Sequence, residues 1–354
     1  MGLSIGIVGL PNVGKSTLFT ALTRKRAVVS NYPFATIDPN VGMVPVPDSR
    51  LEKIAKIAEP EEIVHATVEF VDIAGLVKGA NEGEGLGNQF LANIREVDAI
   101  AEVVRYFGDP NVVHVTGRVD PEGDVETIRI ELVLADLGTA ERAISRLEKE
   151  LKRDKDIAAK LAAVKRVYEW LSAGHRALKM EMTAEERELL RDLHLLTMKP
   201  MLYVANIDEV DIGKRLAEID GVAPVPICAK IEAEIAELAP EELSEYLEME
   251  GLEEPGLNVL IRAAYELLGL QSFFTAGDRQ ARAWTVRKGA TAYEAAGEIH
   301  TDFQRGFIKA EVISWADYVE LGGEKGAREA GKLRVEGKDH VVAEGDLIHF
   351  RFNV

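Results

Sequence analysis

Apolar residues fall in short runs separated by amphipathic stretches through most of this chain. Leu3–Leu10, Thr67–Ile73, Ala99–Phe107, Met201–Ala205 and Val222–Ala229 are runs of strand length, with helical patterns between several of them. Strands buried on both faces read as near-continuous apolar runs. The pattern therefore predicts an α/β chain with a mostly parallel sheet covered by helices.

Two regions break the alternation. From about Asp124 to His194 proline is almost absent, and Leu147, Leu151, Ile157, Leu161, Val164 and Tyr168 recur at helical spacing. The break at Ser172–Ala173–Gly174 predicts a turn between two long helices, hence a hairpin projecting from the sheet. From about Thr275 the segments shorten. Ala283–Arg287, Gly306–Ser314 and Asp346–Phe352 read as strands and Ala292–Thr301 as a helix, which predicts a small mixed α+β unit. The boundaries this suggests are 1–123 and 199–274 for the sheet domain, 124–198 for the hairpin, and 275–354 for the last unit.

Charge and length narrow the class. The chain has 354 residues, with 42 Lys and Arg against 60 Asp and Glu, a net charge of −18. A uniformly basic nucleic-acid coat is excluded by that balance, although a local basic face is not. Residues 141–199 carry 14 basic against 11 acidic side chains, while Ile231–Pro255 holds ten Glu and no basic residue and reads as a solvated helical face. Cys228 is the only cysteine, so no intramolecular disulfide can form. The start lacks a basic leader segment, and no apolar run approaches the ~20 residues of a membrane span. A soluble, cytoplasmic protein with no membrane partner is the expectation.

One motif carries chemistry by itself. Gly9-Leu-Pro-Asn-Val-Gly-Lys-Ser16 fits G-x-x-x-x-G-K-[ST] in full, with an apolar strand before it and helix-forming Thr17–Arg24 after it. Gly9 and Gly14 let the backbone wrap a phosphate, so that the N–H groups of Asn12, Val13, Gly14, Lys15, Ser16 and Thr17 converge on it. The following helix points its positive end at the same anion. Lys15 reaches the β- and γ-phosphate oxygens, and Ser16 offers a hydroxyl to Mg²⁺. Asp72-Ile-Ala-Gly75 closes a later strand: Asp72 suits the Mg²⁺ shell and Gly75 can give its N–H to the γ-phosphate. Thr36, in a Pro-bounded loop, has a hydroxyl that could complete the shell, against the plainer reading of a loop threonine. These parts suit a nucleoside triphosphatase whose loops switch when the γ-phosphate leaves.

The glycine-rich run from Asp72 to Leu91 resembles the Obg-related branch of the translation-factor GTPases. With Asn206-Ile-Asp-Glu209, the helical insertion and the C-terminal module, the chain resembles the YchF family, also called Obg-like ATPases, over essentially its whole length. That resemblance implies a Ras-like P-loop domain carrying a helical hairpin, followed by a TGS domain of β-grasp type. It implies ATP as substrate, with GTP weaker, and binding to the ribosome or a ribosomal subunit. Contact with rRNA through the hairpin and the TGS domain is compatible with the hairpin's local positive charge.

The base loop departs from the guanine pattern. N-K-x-D loops accept the guanine N–H groups on their Asp, whereas here Ile207 stands for the Lys and Glu209, one methylene longer, for the Asp. A displaced acceptor loses discrimination worth about 1–3 kcal/mol per polar contact. Adenine needs no such carboxylate, so Asn206-x-x-Glu209 favours ATP, with GTP as the alternative. Cys228-Ala229-Lys230 takes the place of the loop that closes over the base.

Hydrolysis needs an oriented water, and the position after D-x-x-G, usually Gln, is Leu76. By resemblance, His114 is the family's proposed substitute. A histidine packed among Val112, Val113 and Val115 is the equally available reading, and a non-hydrolysing nucleotide sensor is then the alternative function. Asn12 has two readings as well: a K⁺ ligand, or a loop Asn bonding its own backbone.

Overall fold

The apolar runs become strands in a computed structural model that describes residues 3–24, 40–73, 86–109, 112, 118–236 and 238–353. Among the described residues the strands are β1 (Ser4–Val8), β2 (Val41–Pro45), β3 (Glu62–Val64), β4 (Thr67–Asp72), β5 (Ala99–Arg105), β6 (Met201–Asn206), β7 (Val225–Ile227), β8 (Leu270–Ala276), β9 (Gln280–Arg287), β10 (Phe307–Ser314), β11 (Arg334–Glu336) and β12 (Asp346–Phe352). The helices used below are α1 (Lys15–Arg24), α2 (Ser49–Ala58), α3 (Leu86–Glu96), α4 (Pro121–Glu150), α5 (Ala158–Ser172), α6 (Ala184–Leu190), α7 (Ala229–Ile235), α8 (Pro240–Glu250), α9 (Gly256–Leu267) and α10 (Ala292–Ile299). Contacts divide the chain into two units, Met1–Gly42 with Glu69–Leu260, and Met43–Val68 with Ile261–Val354.

The first unit is built on the strand run β4–β1–β5–β6–β7, in which β1 runs parallel to β4 and β5, β5 to β6, and β6 to β7. Every residue of β1, β5 and β6 is buried, which is why those segments are almost uninterrupted apolar runs. β7 is shorter than the apolar pattern suggested. Because the strands are parallel, the carboxyl ends of β1, β4, β5 and β6 all open toward one crevice, the usual location of ligands in such sheets.

The hairpin has a different turn from the one expected. α4 starts from Asp120, whose side chain accepts from Gly123 N, with Pro121 in the first turn, and runs for 30 residues. α4 and α5 pack through Ala140, Ala143, Leu147, Leu161, Val164, Val167 and Leu171. The turn between them lies at Leu151–Ile157, not at Ser172–Gly174, where α5 merely ends on Gly174 at φ 82°. The real turn contains neither Gly nor Pro; it is organised by Asp154, which caps Asp156 N.

Two carboxyls are buried within this unit, and the first anchors the insertion. Asp136 of α4 is fully buried and accepts from Leu196 N (2.9 Å), Thr197 N (2.8 Å) and Thr197 Oγ1 (2.7 Å). Burial outweighs these donors and raises the Asp136 carboxyl above its ordinary range. Glu102 of β5 is 1% exposed, beside Tyr203 in the β5–β6 register. Burial pushes its carboxyl well above the usual range; Arg176 opposes this shift, while Asp220 and Asp124 add to it.

The second unit is a β-grasp. β8 and β9 form an antiparallel hairpin, β12 lies parallel to β8, and β10 runs antiparallel to β12 and β11. The core gathers Phe273, Val286, Phe307, Val312, Ile348 and Phe350 with Ala292, Ala295 and Ala296 of α10. This unit reaches back for Met43–Val68: β3 extends the sheet beside β9, and Arg50 of α2 donates to Asp48 and Glu344. It also begins before Thr275, because β8 starts at Leu270. Among the described residues no helix is long and apolar enough to cross a membrane.

Candidate nucleotide-binding site

The loop between β1 and α1 sits at the carboxyl end of the central strand. Asn12 and Gly14 adopt positive φ (64° and 90°), Val13 turns inward to 1% exposure, and Leu18 N donates to Gly14 O to start α1. Ser16 and Thr17 are exposed at the helix start, and the ten-residue helix turns its N–H end toward the same space. A side chain at Gly14 has no room: a Cβ there would lie 2.1 Å from Asn206 Nδ2. At Gly9 a Cβ would lie 2.9 Å from the Val103 carbonyl oxygen.

Asp72 ends β4 beside this loop, and Lys15 Nζ donates to its Oδ1. An ammonium and a carboxylate are thus adjacent at the mouth, both largely buried at 10% and 18% side-chain exposure. Ser16 and Asp72 supply hard oxygen donors, the set that Mg²⁺ takes when phosphate oxygens and water complete its shell. The residues present therefore fit a nucleotide-borne Mg²⁺. Among the described residues no group of three or more His, Cys, Asp or Glu could hold a metal without such a ligand. Thr36, Gly75, Leu76 and His114 lie outside the described residues.

A cavity of about 400 Å³ opens next to the loop, lined by Gly14, Thr17, Phe107, Gly108, Asp109, Asn206, Ile207, Asp208, Glu209, Cys228, Ala229 and Lys230. It joins the loop to both segments singled out for the base, Asn206–Glu209 and Cys228–Lys230. Asn206 is the fastener: its Nδ2 donates to Val13 O (2.9 Å) and its Oδ1 accepts from Ala229 N (3.1 Å). Both bonds are buried, so this side chain aligns three loops at the cavity it lines. Ile207 is 3% exposed and packs with Ala205, Cys228, Ile231 and Ile235. The Cys228 thiol is pushed up by burial, so this wall is uncharged near neutral pH.

Sequence reasoning missed the opposite wall. Phe107, Gly108 and Asp109 follow β5, and Gly108 N donates to Asp208 Oδ2 (2.9 Å), which ties the two lips of the cavity together. The signal was available: residues just past the carboxyl end of a central parallel strand face the crevice whatever their type. Arg105 was missed too, because it lay inside a run read simply as apolar.

Similarity to known proteins runs along the whole chain. The family of 50S ribosome-binding GTPases matches residues 4–139, and the YchF-GTPase C-terminal family, described as a protein of unknown function, matches residues 270–353. A protein of Haemophilus ducreyi called "Ribosome-binding ATPase YchF" is 53% identical over 363 residues, covering 100% of both chains. Proteins of the same name from Escherichia coli O157:H7 and Bacillus subtilis are 52% and 51% identical, again over 100% of both chains. The solved structure of a Schizosaccharomyces pombe YchF GTPase superposes with a TM-score of 0.90 at 36% identity, covering 99% of this chain and 98% of that one.

Proposed function

Because the chain belongs to the YchF family, we propose that it is a slow, Mg²⁺-dependent ATPase acting as a switch on the ribosome in the cytoplasm. The observation that carries the base assignment is the cavity beside the phosphate loop, with Ile207 where a guanine-reading loop has Lys and Glu209 where it has Asp. A purine placed there lies against Phe107 and the uncharged Cys228–Ala229 wall. The carboxylate that would accept guanine's two N–H groups is replaced by a longer one, so the loop gives guanine no premium over adenine. GTP is the second reading, because the fission-yeast relative is titled a GTPase while the bacterial relatives are called ATPases.

Each residue has a role in this proposal. The N–H groups of Asn12–Thr17 and the Lys15 ammonium bind and orient the triphosphate. Ser16 and Asp72, with Thr36, would hold Mg²⁺, which supplies charge neutralisation on the β- and γ-phosphate oxygens. Gly75 donates to the γ-phosphate, and His114 holds the attacking water where Leu76 can neither donate nor accept a hydrogen bond. Asn12 is the candidate ligand for K⁺. The ribosome contact falls to the hairpin and the C-terminal TGS-like segment. A cleft of about 610 Å³ along one face of α4, carrying Arg142, Arg146 and Lys149 among Glu141 and Glu150, supports phosphate contact there.

The test is calorimetric titration with ATP and GTP in Mg²⁺, followed by turnover measured in K⁺ and in Na⁺. ATP is expected to bind at least as tightly as GTP. Tighter GTP would overturn the base assignment, and equal rates in the two salts would remove the ion from Asn12.

A further inference from the structure

Arg105 is the largest fully buried side chain of the described residues, at 2% exposure, at the end of an apolar strand. A buried guanidinium is costly unless its donors are taken up, and an aliphatic residue like its neighbours Val103 and Val104 would pack there at less cost. Its bonds are therefore informative. Nε donates to Phe107 O (3.1 Å), Nη2 to Val112 O (2.9 Å) and Asp109 O (3.4 Å), and Nη1 to Asn12 O (3.4 Å). The guanidinium also lies 4.3 Å from the centre of the Phe107 ring.

Four carbonyls and one ring are thus gathered by a single planar group. Three of the carbonyls and the ring belong to the segment after β5 that supplies Phe107, Gly108 and Asp109 to the cavity. Residues 106–109 and 112 of that segment are neither helix nor strand. Arg105 grips it from inside, and Asp208 grips Gly108 from the rim. The two shorter bonds, to Phe107 O and Val112 O, both fall on that segment, whereas the phosphate loop is reached by one bond, at 3.4 Å. Lysine cannot replace this arrangement, since its donors sit on one atom and it has no plane to lay on the ring.

We propose that Arg105 is the positioning residue for the base side of the site: it fixes the Phe107–Asp109 wall against which the purine lies. This inference rests on the reading of the cavity as a purine nucleotide site. Arg105 touches no substrate; it acts through the wall, so its loss falls on the base half of ATP and largely spares the triphosphate half.

The experiment compares Mg·ATP with Mg·tripolyphosphate, the same anion without base or ribose. Both are titrated into the full-length wild type, Arg105→Lys and Arg105→Gln. ATP affinity is expected to fall at least tenfold in both variants while tripolyphosphate affinity stays within threefold. The proposal stands if ATP loses at least threefold more than tripolyphosphate and is overturned if it does not. Wild type that binds neither ligand would overturn the nucleotide reading itself, and this inference with it. Should the variants fail to fold, nitrogen-15 NMR of the wild-type Arg105 Nε–H supplies the answer. Its resonance is expected to shift with ATP and stay put with tripolyphosphate; no shift with ATP overturns the proposal.

Discussion

Gly14 shows how one atom can decide the site. Its φ of 90° already disfavours any side chain, and a Cβ would strike the amide of Asn206, which is itself bonded to Val13 O. Backbone strain of about 1–2 kcal/mol adds to the clash. Gly14→Ala is expected to fold, checked by its thermal melt, but to bind ATP at least tenfold more weakly by calorimetry. His114→Ala is expected to lower ATP turnover at least tenfold with affinity within a few fold; unchanged turnover would leave His114 among its valines. The phosphate loop was legible in sequence because all its parts are consecutive, so chain order and spatial order coincide. Arg105, and the fastening done by Asn206, were not legible. Each acts by fastening segments far apart in sequence, such as Asn206 to Val13 and Ala229.

At the scale of the element, β5 was readable as a strand from its apolar residues, and its two charges were the part that pattern hides. Arg105 serves the site. Glu102 is buried with no hydrogen-bond partner for Oε1 among the described residues, and burial raises its carboxyl well above the ordinary value of 4.5. Arg176, Asp220 and Asp124 are the charges around it. A carboxyl raised in the folded state contributes stability fully below its unfolded value; that contribution declines as pH rises toward the folded value. Glu102→Gln removes this dependence. Its stability relative to wild type, from urea unfolding, is expected to increase between pH 5 and pH 8, and a constant difference would remove Glu102 as the source. The hairpin gives the converse lesson. Its helices were legible from spacing, but its turn was not, because Lys152–Asp156 looks like one more polar face of a helix until Asp154 is seen capping it.

For the whole molecule, sequence order is a poor guide to the second unit. Residues 275–354 look self-contained, yet β8 begins at Leu270 and sits between β12 and β9 in its sheet. A fragment of 275–354 therefore lacks the strand carrying Phe273 and Phe274, both fully buried. It is expected to show poor amide dispersion by NMR and to bind a hydrophobic dye. A cooperative melt of that fragment would contradict the assignment. Nothing in composition announces that Met43–Val68 belongs with it, because contact partners of high sequence separation leave no periodic trace.

The same discontinuity has a consequence for how the protein is made. Met43–Val68 leaves the exit tunnel early, but its partners in Ile261–Val354 follow only after Glu69–Leu260 has been synthesised. At 5–20 residues per second that gap lasts on the order of ten to forty seconds. During it the apolar side of α2, with Leu51, Ile54 and Ala55, has no native cover from the later segment. The newborn chain must keep this stripe shielded, by a helper protein or by transient contacts of its own, before its second half arrives.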